Sequence, residues 1–85
     1  MNTENELLRD DTLRTLLEIH REVLARDVDS QDNLFALGGT SLHAIQVTRR
    51  IRAAFGIGLP ARVVFTARTV ADLAEAAAAR REERS

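Results

Sequence analysis

Apolar residues recur with the period of a helix in three stretches of the chain. In the first stretch, which begins at Asp10, one stripe at 100° per residue collects the positions expected to face a core. They are Leu13, Leu16, Leu17, His20 and Leu24, with Val23 at the edge of the stripe. Asp10 and Asp11 are placed to cap this helix and to put negative charge in its first turn. Residues 1–9 are mostly polar and form a predicted N-terminal extension, which either frays or lengthens the helix.

A long segment without a helical or strand period, residues 26–40, follows the first helix. Segments of this length in compact domains are commonly functional or disordered. Three apolar side chains argue against disorder, because they can hold the segment against a core: Leu34, Phe35 and Leu37. The second helix is predicted to begin at Thr40 or Ser41 and to end near Phe55, where Gly56 stops it.

Two further helices complete the predicted fold. Pro60 starts a short helix of one or two turns, since its missing N–H costs nothing there. The last helix begins at Thr69, with Asp72 at capping-box spacing. Its apolar face consists of Val70, Leu73, Ala74 and Ala77. Residues 81–85 are expected to be a charged, solvated tail, which leaves residues 10–80 as the folded domain. The sequence thus predicts an all-α antiparallel bundle of three main helices plus one short helix, with a long loop between helices one and two.

Composition narrows the possible functions. The 85 residues suffice for one domain and leave little room for a deep catalytic cleft. The chain has no Cys, which excludes disulfides, thiolate metal sites and an encoded nucleophilic thiol. The net charge of −1 predicts no nucleic-acid footprint, and no apolar run is long enough to span a membrane. We therefore expect a cytoplasmic monomer that binds neither nucleic acid nor membrane.

The residue types used in catalysis and metal binding are not arranged for either role. His20 lies on the core stripe and is expected to be a partly buried structural residue. His43 follows Ser41 by two positions, and two helical steps turn a side chain by about 200°, so the pair cannot form a Ser–His dyad within one helix. No His, Asp and Glu group has metal-ligand spacing, and no Gly-rich phosphate loop occurs. We expect no catalytic and no metal-binding residues.

The informative pattern is DNLFALGGTSL, residues 32–42, at the start of the second helix. Thr or Ser before an apolar helical run is commonly no more than an N-cap, and the two glycines are then only a turn. Two details count against that interpretation. No Glu or Gln stands three residues after Thr40 or Ser41, so no capping box is expected. Gly38 and Gly39 together cost more backbone entropy than a cap requires.

The predicted second helix also has apolar residues that its core face does not need. That face is complete with Ala44, Val47, Thr48, Ile51, Ala54 and Phe55. Leu42 and Ile45 lie on the other side and flank Ser41, and Arg49 lies there too. Exposed apolar side chains beside a hydroxyl indicate a docking surface. The alternative is a wide bundle that covers Leu42 or Ile45 as well.

The run DNLFALGGTSLHAIQVTRRIR resembles the core motif of peptidyl carrier proteins, the thiolation domains of nonribosomal peptide synthetases. That family has an Asp-Asn/Asp-x-Phe loop, then Leu-Gly-Gly-x-Ser-Leu, then a helix. The likeness continues in EIHREVL at the end of the first helix, in GIGLPARVVFTARTVADLA and in the Ala-rich last helix, so it covers nearly the whole chain.

The resemblance implies that Ser41 is the attachment site for 4'-phosphopantetheine, transferred from coenzyme A by a phosphopantetheinyl transferase. The supporting residues would be Gly38, Gly39 and Thr40, with the glycines leaving the approach to the hydroxyl free of side chains. The arm would supply the thiol that the chain lacks, and its phosphodiester would suit a helix N-terminus. The implied partners are the transferase, an adenylation enzyme or domain, and condensation, thioesterase or tailoring enzymes. The implied contact surface is Leu42, Ile45 and Arg49.

Some features depart from the family pattern and bear on the type of carrier. Thr40 stands where His or Asp commonly precedes the modified Ser. Arg49, Arg50 and Arg52 replace the acidic surface typical of fatty-acid carriers, which favours the peptidyl type. The polar N-terminus and charged C-terminus favour a free-standing protein. A polyketide or aryl carrier is the alternative within the class, and a helical adaptor with Ser41 as a simple cap is the alternative outside it.

Overall fold

The computed structural model describes residues 3–84. They form four α-helices: α1 (Thr3–Leu24), α2 (Ser41–Phe55), α3 (Ala61–Thr66) and α4 (Val70–Arg84). α1 packs against α4 and α2, and α2 packs against α3. The predicted all-α bundle of three main helices and one short helix, with a long loop after the first, is confirmed. None of these helices combines the length and the apolarity needed to cross a bilayer.

The core lies where α1, α2 and α4 meet. Leu16 of α1, Val47 and Ile51 of α2 and Ala77 of α4 have no exposed surface. Burial of each Leu, Val or Ile side chain contributes about 1.5–3 kcal/mol, so the bundle depends on this layer. The other buried apolar side chains are Ile19, Val28, Leu34, Ala44, Ile57, Leu59, Val64, Val70, Leu73, Ala74 and Ala78.

Residues 3–9 lengthen the first helix, which is one of the two outcomes predicted for them, whereas the predicted cap of α1 and the C-terminal tail differ from the prediction. α1 already begins at Thr3, so Asp10 and Asp11 lie inside the helix and do not cap it. α4 continues to Arg84, so the expected solvated tail is helical as far as the structure describes it. The limits of the carrier domain at residues 10–80 stay a prediction.

One arginine in the last turn of α4 explains why that helix continues. Arg81 Nη1 donates to Asp11 Oδ2 at 3.0 Å and to Thr12 Oγ1 at 2.8 Å on α1. Its guanidinium also lies 4.2 Å from the ring centroid of Phe55, at the end of α2. Thr12 is fully buried and in turn donates to the Leu8 carbonyl at 2.6 Å. Arg81 therefore joins three helices, a role that a charged terminal sequence does not reveal.

The long loop is held in place by its own polar groups. Asn33 Nδ2 donates to the carbonyls of Ala67 and Arg68 at 2.9 and 3.0 Å, and Asn33 Oδ1 accepts the N–H of Phe35 at 2.8 Å. The loop also caps α4, because the N–H of Val70 donates to the Asp32 carbonyl at 2.9 Å. These bonds fix the loop to the α3–α4 connection.

The apolar side chains of the loop behave in two ways. Leu34 is buried and Leu37 is half-buried, so both anchor the loop to the core as predicted. Phe35 differs, because 48% of it is exposed and its ring meets Phe65 of α3, with 3.9 Å between centroids. Phe35 thus lies on the outside of the loop and contacts Phe65, which itself packs against the core.

His20 is a buried structural histidine, as the sequence predicts. Its Nδ1 lies 2.7 Å from the Leu16 carbonyl, and because only an N–H can bond a carbonyl, the neutral ring carries its proton on Nδ1. Burial lowers the pKa of His20 below the ordinary 6.5, against a smaller opposing effect of the bond to Leu16. The folded chain thus holds His20 in its neutral form.

This burial predicts a loss of stability in acid. Between the lowered pKa of folded His20 and 6.5, the unfolded chain binds more protons, so the free energy of unfolding falls as the pH drops through that window. Urea unfolding at pH 7.5 and at pH 5 should show the loss, and His20→Gln should reduce the difference between the two pH values. An equal pH dependence in His20→Gln would contradict the assignment.

Candidate functional site

Ser41 is the first residue of α2, and its side chain is exposed. Thr40, with φ −120° and ψ 176°, is the extended N-cap residue before it. At the other end, Gly56 stops the helix in the left-handed conformation with φ 68°, as predicted. The predicted limits of α2 are confirmed, and they place one hydroxyl at the exposed tip of a helix.

The two glycines before Ser41 have separate roles. Gly38 has φ +85°, which favours glycine, and no atom lies within 4 Å of the place where a Cβ would stand. Gly39 is buried, and a Cβ there would come within 2.6 Å of the Leu34 carbonyl oxygen. The expectation that both glycines keep the approach to Ser41 open therefore fits Gly38, whereas Gly39 permits close packing on Leu34.

The turn that leads into α2 is closed by backbone hydrogen bonds. The N–H of Gly38 donates to the Phe35 carbonyl at 2.9 Å, and that of Gly39 donates to the Leu34 carbonyl at 2.8 Å. The same turn begins at Asn33, whose side chain is tied to the α3–α4 connection. Ser41 therefore follows a turn that hydrogen bonds hold at its start, Asn33, and at its end, Gly39.

His43 forms a capping box with Thr40, which corrects the prediction that no box exists. Thr40 N–H donates to His43 Nδ1 at 3.0 Å, and His43 N–H donates to Thr40 Oγ1 at 3.5 Å. Sequence reasoning missed it because the usual partners are Glu and Gln. Since Nδ1 accepts, the neutral ring carries its proton on Nε2.

The imidazole of His43 is thus committed to Thr40, and no hydrogen bond between His43 and Ser41 occurs in the described residues. The absence of a Ser–His dyad stays a prediction. Within residues 3–84, no group of three or more His, Cys, Asp or Glu side chains is arranged to hold a metal ion.

The start of α2 is suited to an anion. In the described part of the chain, the N–H groups of Ser41 and Leu42 have no hydrogen-bond partner. The first turn contains no acidic residue. Free N–H groups and the helix dipole favour negative charge here, typically by about 0.3–1 kcal/mol at an exposed site.

A groove of about 240 Å³ begins at Ser41 and separates α2 from α3. Its lining residues are Ser41, Ala44, Ile45, Ala61, Arg62 and Phe65. The groove is therefore largely apolar, with one cationic side chain. The sequence alone does not place the α3 residues at the site, because only the packing of α3 on α2 brings them there.

The exposed face of α2 is as predicted. Leu42 is 63% exposed and Ile45 is 40% exposed, so the alternative in which the bundle covers them is wrong. Arg49 is exposed as well and borders a second groove, of about 420 Å³, between α1 and α2. The sequence places Ala54 in the core, but it is exposed instead, whereas Ala44 is buried as predicted.

Comparisons with known proteins find a matching family model and similar chains. The family model described as "Phosphopantetheine attachment site" matches residues 14–77. The chain is 40% identical, over 88 aligned positions and its whole length, to a linear gramicidin synthase of Brevibacillus parabrevis. It is 39% identical over 76% of its length to surfactin synthase subunit 3 of Bacillus subtilis (strain 168). The chain spans only 2% and 5% of these two relatives.

A solved structure is also similar. It is that of BlmI, a type-II acyl-carrier-protein from Streptomyces verticillus involved in bleomycin biosynthesis. The TM-score is 0.84 and the sequence identity is 33%, and the match covers 91% of this chain and 94% of BlmI.

The capping box makes a prediction about His43. His43→Ala removes the acceptor for Thr40 N–H, so we expect a loss of about 0.5–1 kcal/mol in the free energy of unfolding and faster amide exchange at Thr40. His43→Gln can accept the same bond and should retain most of both properties. Urea unfolding and NMR amide exchange provide the measurements, and a Gln variant as impaired as the Ala variant would rule out the capping role.

Proposed function

The chain belongs to the phosphopantetheine attachment site family, and on that basis we propose that Ser41 is the residue to which its 4'-phosphopantetheine group is attached. The observation that supports this most is the position of Ser41, exposed at the first turn of α2 behind a turn with no side chain at Gly38. The other serine that the structure describes, Ser30, donates to Asp29 and lies in the long loop.

The residues around Ser41 fit this group. The free N–H groups of Ser41 and Leu42 suit the phosphodiester, which remains anionic after attachment. The groove beside Ser41 presents apolar side chains, with Arg62 at its border. In attachment, Ser41 Oγ forms a bond to the phosphorus next to the pantetheine of coenzyme A. The pyrophosphate bond breaks, adenosine 3',5'-bisphosphate leaves, and the hydroxyl proton passes to a base of the transferase.

When bound, the group supplies a thiol on which an acyl group is held as a thioester. The chain has no Cys, so no side chain of its own offers that thiol. The chain itself positions Ser41. The capped start of α2 holds this residue at the surface, and the hydrogen-bonded loop before it fixes where α2 begins. We propose that the chain is not itself an enzyme, because the imidazole near Ser41 is already bonded to Thr40.

We further propose that the acyl group is an aminoacyl or peptidyl group in nonribosomal peptide biosynthesis. The similarity to linear gramicidin and surfactin synthases supports this substrate class. An acyl or aryl carrier is the second candidate, favoured by the similarity to BlmI, an acyl-carrier-protein. Loading assays with amino-acid adenylating enzymes, compared with malonyl and aryl donors, distinguish the two. The free-standing state of the carrier stays a prediction. The cytoplasmic location stays a prediction.

The proposed partners act at one surface. They are the transferase, an adenylation enzyme, and condensation, thioesterase or tailoring enzymes. Leu42 and Ile45 are exposed beside Ser41, and Arg49 lies on the same face one turn farther along α2. Modest affinity is expected, because a carrier has to release each partner in turn.

Ser41→Ala tests the attachment site. Thr40, not Ser41, is the N-cap, so the variant should unfold with nearly wild-type free energy. After incubation with coenzyme A and a broad-specificity transferase, intact mass spectrometry should show one added phosphopantetheine on the wild-type chain and on the control Ser30→Ala, but none on Ser41→Ala. Modification of Ser41→Ala would show that the attachment site is elsewhere.

Ile45→Asp tests the docking surface. A charge at this 40% exposed position should raise the transferase KM for the chain about tenfold, while changing the free energy of unfolding by less than about 1 kcal/mol. Leu7→Asp is the matched control, because Leu7 is exposed to 62% on α1 and lies outside the proposed surface. If both variants lost activity equally, or if Ile45→Asp unfolded the chain, Ile45 would not be a docking residue.

A further inference from the structure

The charges of the chain are divided sharply along the sequence. Residues 33–71, which include α2 and α3, contain five Arg and no Asp or Glu. All 13 acidic residues lie outside this segment, nine before it and four after it. The net charge of −1 therefore conceals a cationic segment around Ser41 and an acidic remainder formed by α1, the first part of the loop and α4.

Three cations of this segment lie on the side of the bundle that carries the exposed apolar side chains of α2. Arg62 borders the groove that contains Ser41 and Ile45. Arg49 follows Ile45 by one helical turn, and the guanidinium of Arg52 lies beside Gly58, at the α2–α3 connection. We call this surface the cationic face, and it consists of Leu42, Ile45, Arg49, Arg52 and Arg62.

No ion pair between the described residues includes an arginine of the cationic face. Those that occur join Arg50 to Glu22 and Arg81 to Asp11. Arg49, Arg52 and Arg62 are all exposed. Three exposed guanidinium groups beside exposed apolar side chains favour a partner surface with carboxylates next to an apolar pocket, because charges across an interface are arranged to be complementary.

We propose that the enzymes acting at Ser41 dock on the cationic face through an apolar pocket rimmed by Asp and Glu side chains. This inference rests on the proposed function of Ser41. The apolar centre favours a protein surface over a nucleic acid, since Leu42 and Ile45 can be buried only against another apolar surface. The acidic remainder of the chain orients the molecule during approach, because it is repelled by the same carboxylates that attract the face.

The test uses a broad-specificity phosphopantetheinyl transferase as the probe and measures KM separately for the chain and for coenzyme A. Arg49→Glu should raise the KM for the chain about 3- to 10-fold at low salt, and Arg49→Gln should raise it less. When the salt concentration is raised from about 20 mM to about 300 mM, the wild-type KM for the chain should also rise about 3- to 10-fold, because screening becomes effective roughly over that range. The KM for coenzyme A should stay unchanged in the variants.

Arg14→Glu is the matched control, because it makes the same change of charge at an exposed position of α1. It should leave the KM for the chain within about twofold of wild type, and circular dichroism checks that each variant is folded. A KM for the chain that responds neither to salt nor to Arg49→Glu would overturn the proposal. A change confined to the KM for coenzyme A would also overturn the proposal, because it would mean that the cations bind this polyanion. Retention on heparin that resists salt would overturn it as well, if the KM for the chain responded neither to salt nor to Arg49→Glu.

Failure of this proposal is separable from failure of the proposed function. If Ser41 accepts the arm but the KM for the chain changes neither with salt nor with Arg49→Glu, the attachment site is correct and the proposed docking chemistry is wrong. If saturating transferase adds no arm at Ser41, the attachment site is wrong, and the docking proposal fails with it.

Discussion

The hydrogen bonds of the Asn33 side chain hold together the two segments that shape the site. Its amide nitrogen bonds the connection between α3 and α4, and its amide oxygen starts the turn that ends at Gly39. A loop of this length would otherwise have many conformations, and each ordered residue costs about 1–2 kcal/mol of backbone entropy. Because one side chain satisfies groups on both segments, the position of Ser41 relative to α3 is set by polar geometry as well as by the apolar core.

The start of α2 combines a stable cap with unsatisfied donors. Thr40 and His43 satisfy each other's backbone groups, which stabilises the first turn. The N–H groups of Ser41 and Leu42 remain available. The cap forms without an anion, so α2 does not need one in order to fold. The available N–H groups can still bind an anion at Ser41 after the cap has formed.

Much of this could be predicted from the sequence, for identifiable reasons. The limits of α2 follow from Thr40 and Gly56, whose preferences are local. Helical periodicity favours the exposure of Leu42 and Ile45, whereas the alternative of a wider bundle is excluded only by the structure. The roles of Arg81 and of Arg62 could not be predicted, because they depend on which helices meet in space. His43 was missed for another reason: its spacing fits a capping box, but its residue type is an unusual one.

The short helix α3 gives the groove beside Ser41 one wall that is less firmly held than the other. α3 packs mainly on α2, and Val64 is its single buried residue. α2, in contrast, contributes three buried side chains to the core. Segments with few buried contacts open at a lower free energy than the whole domain. When the domain is destabilised, we therefore expect the α3 wall of the groove to open before the core formed by α1, α2 and α4 does.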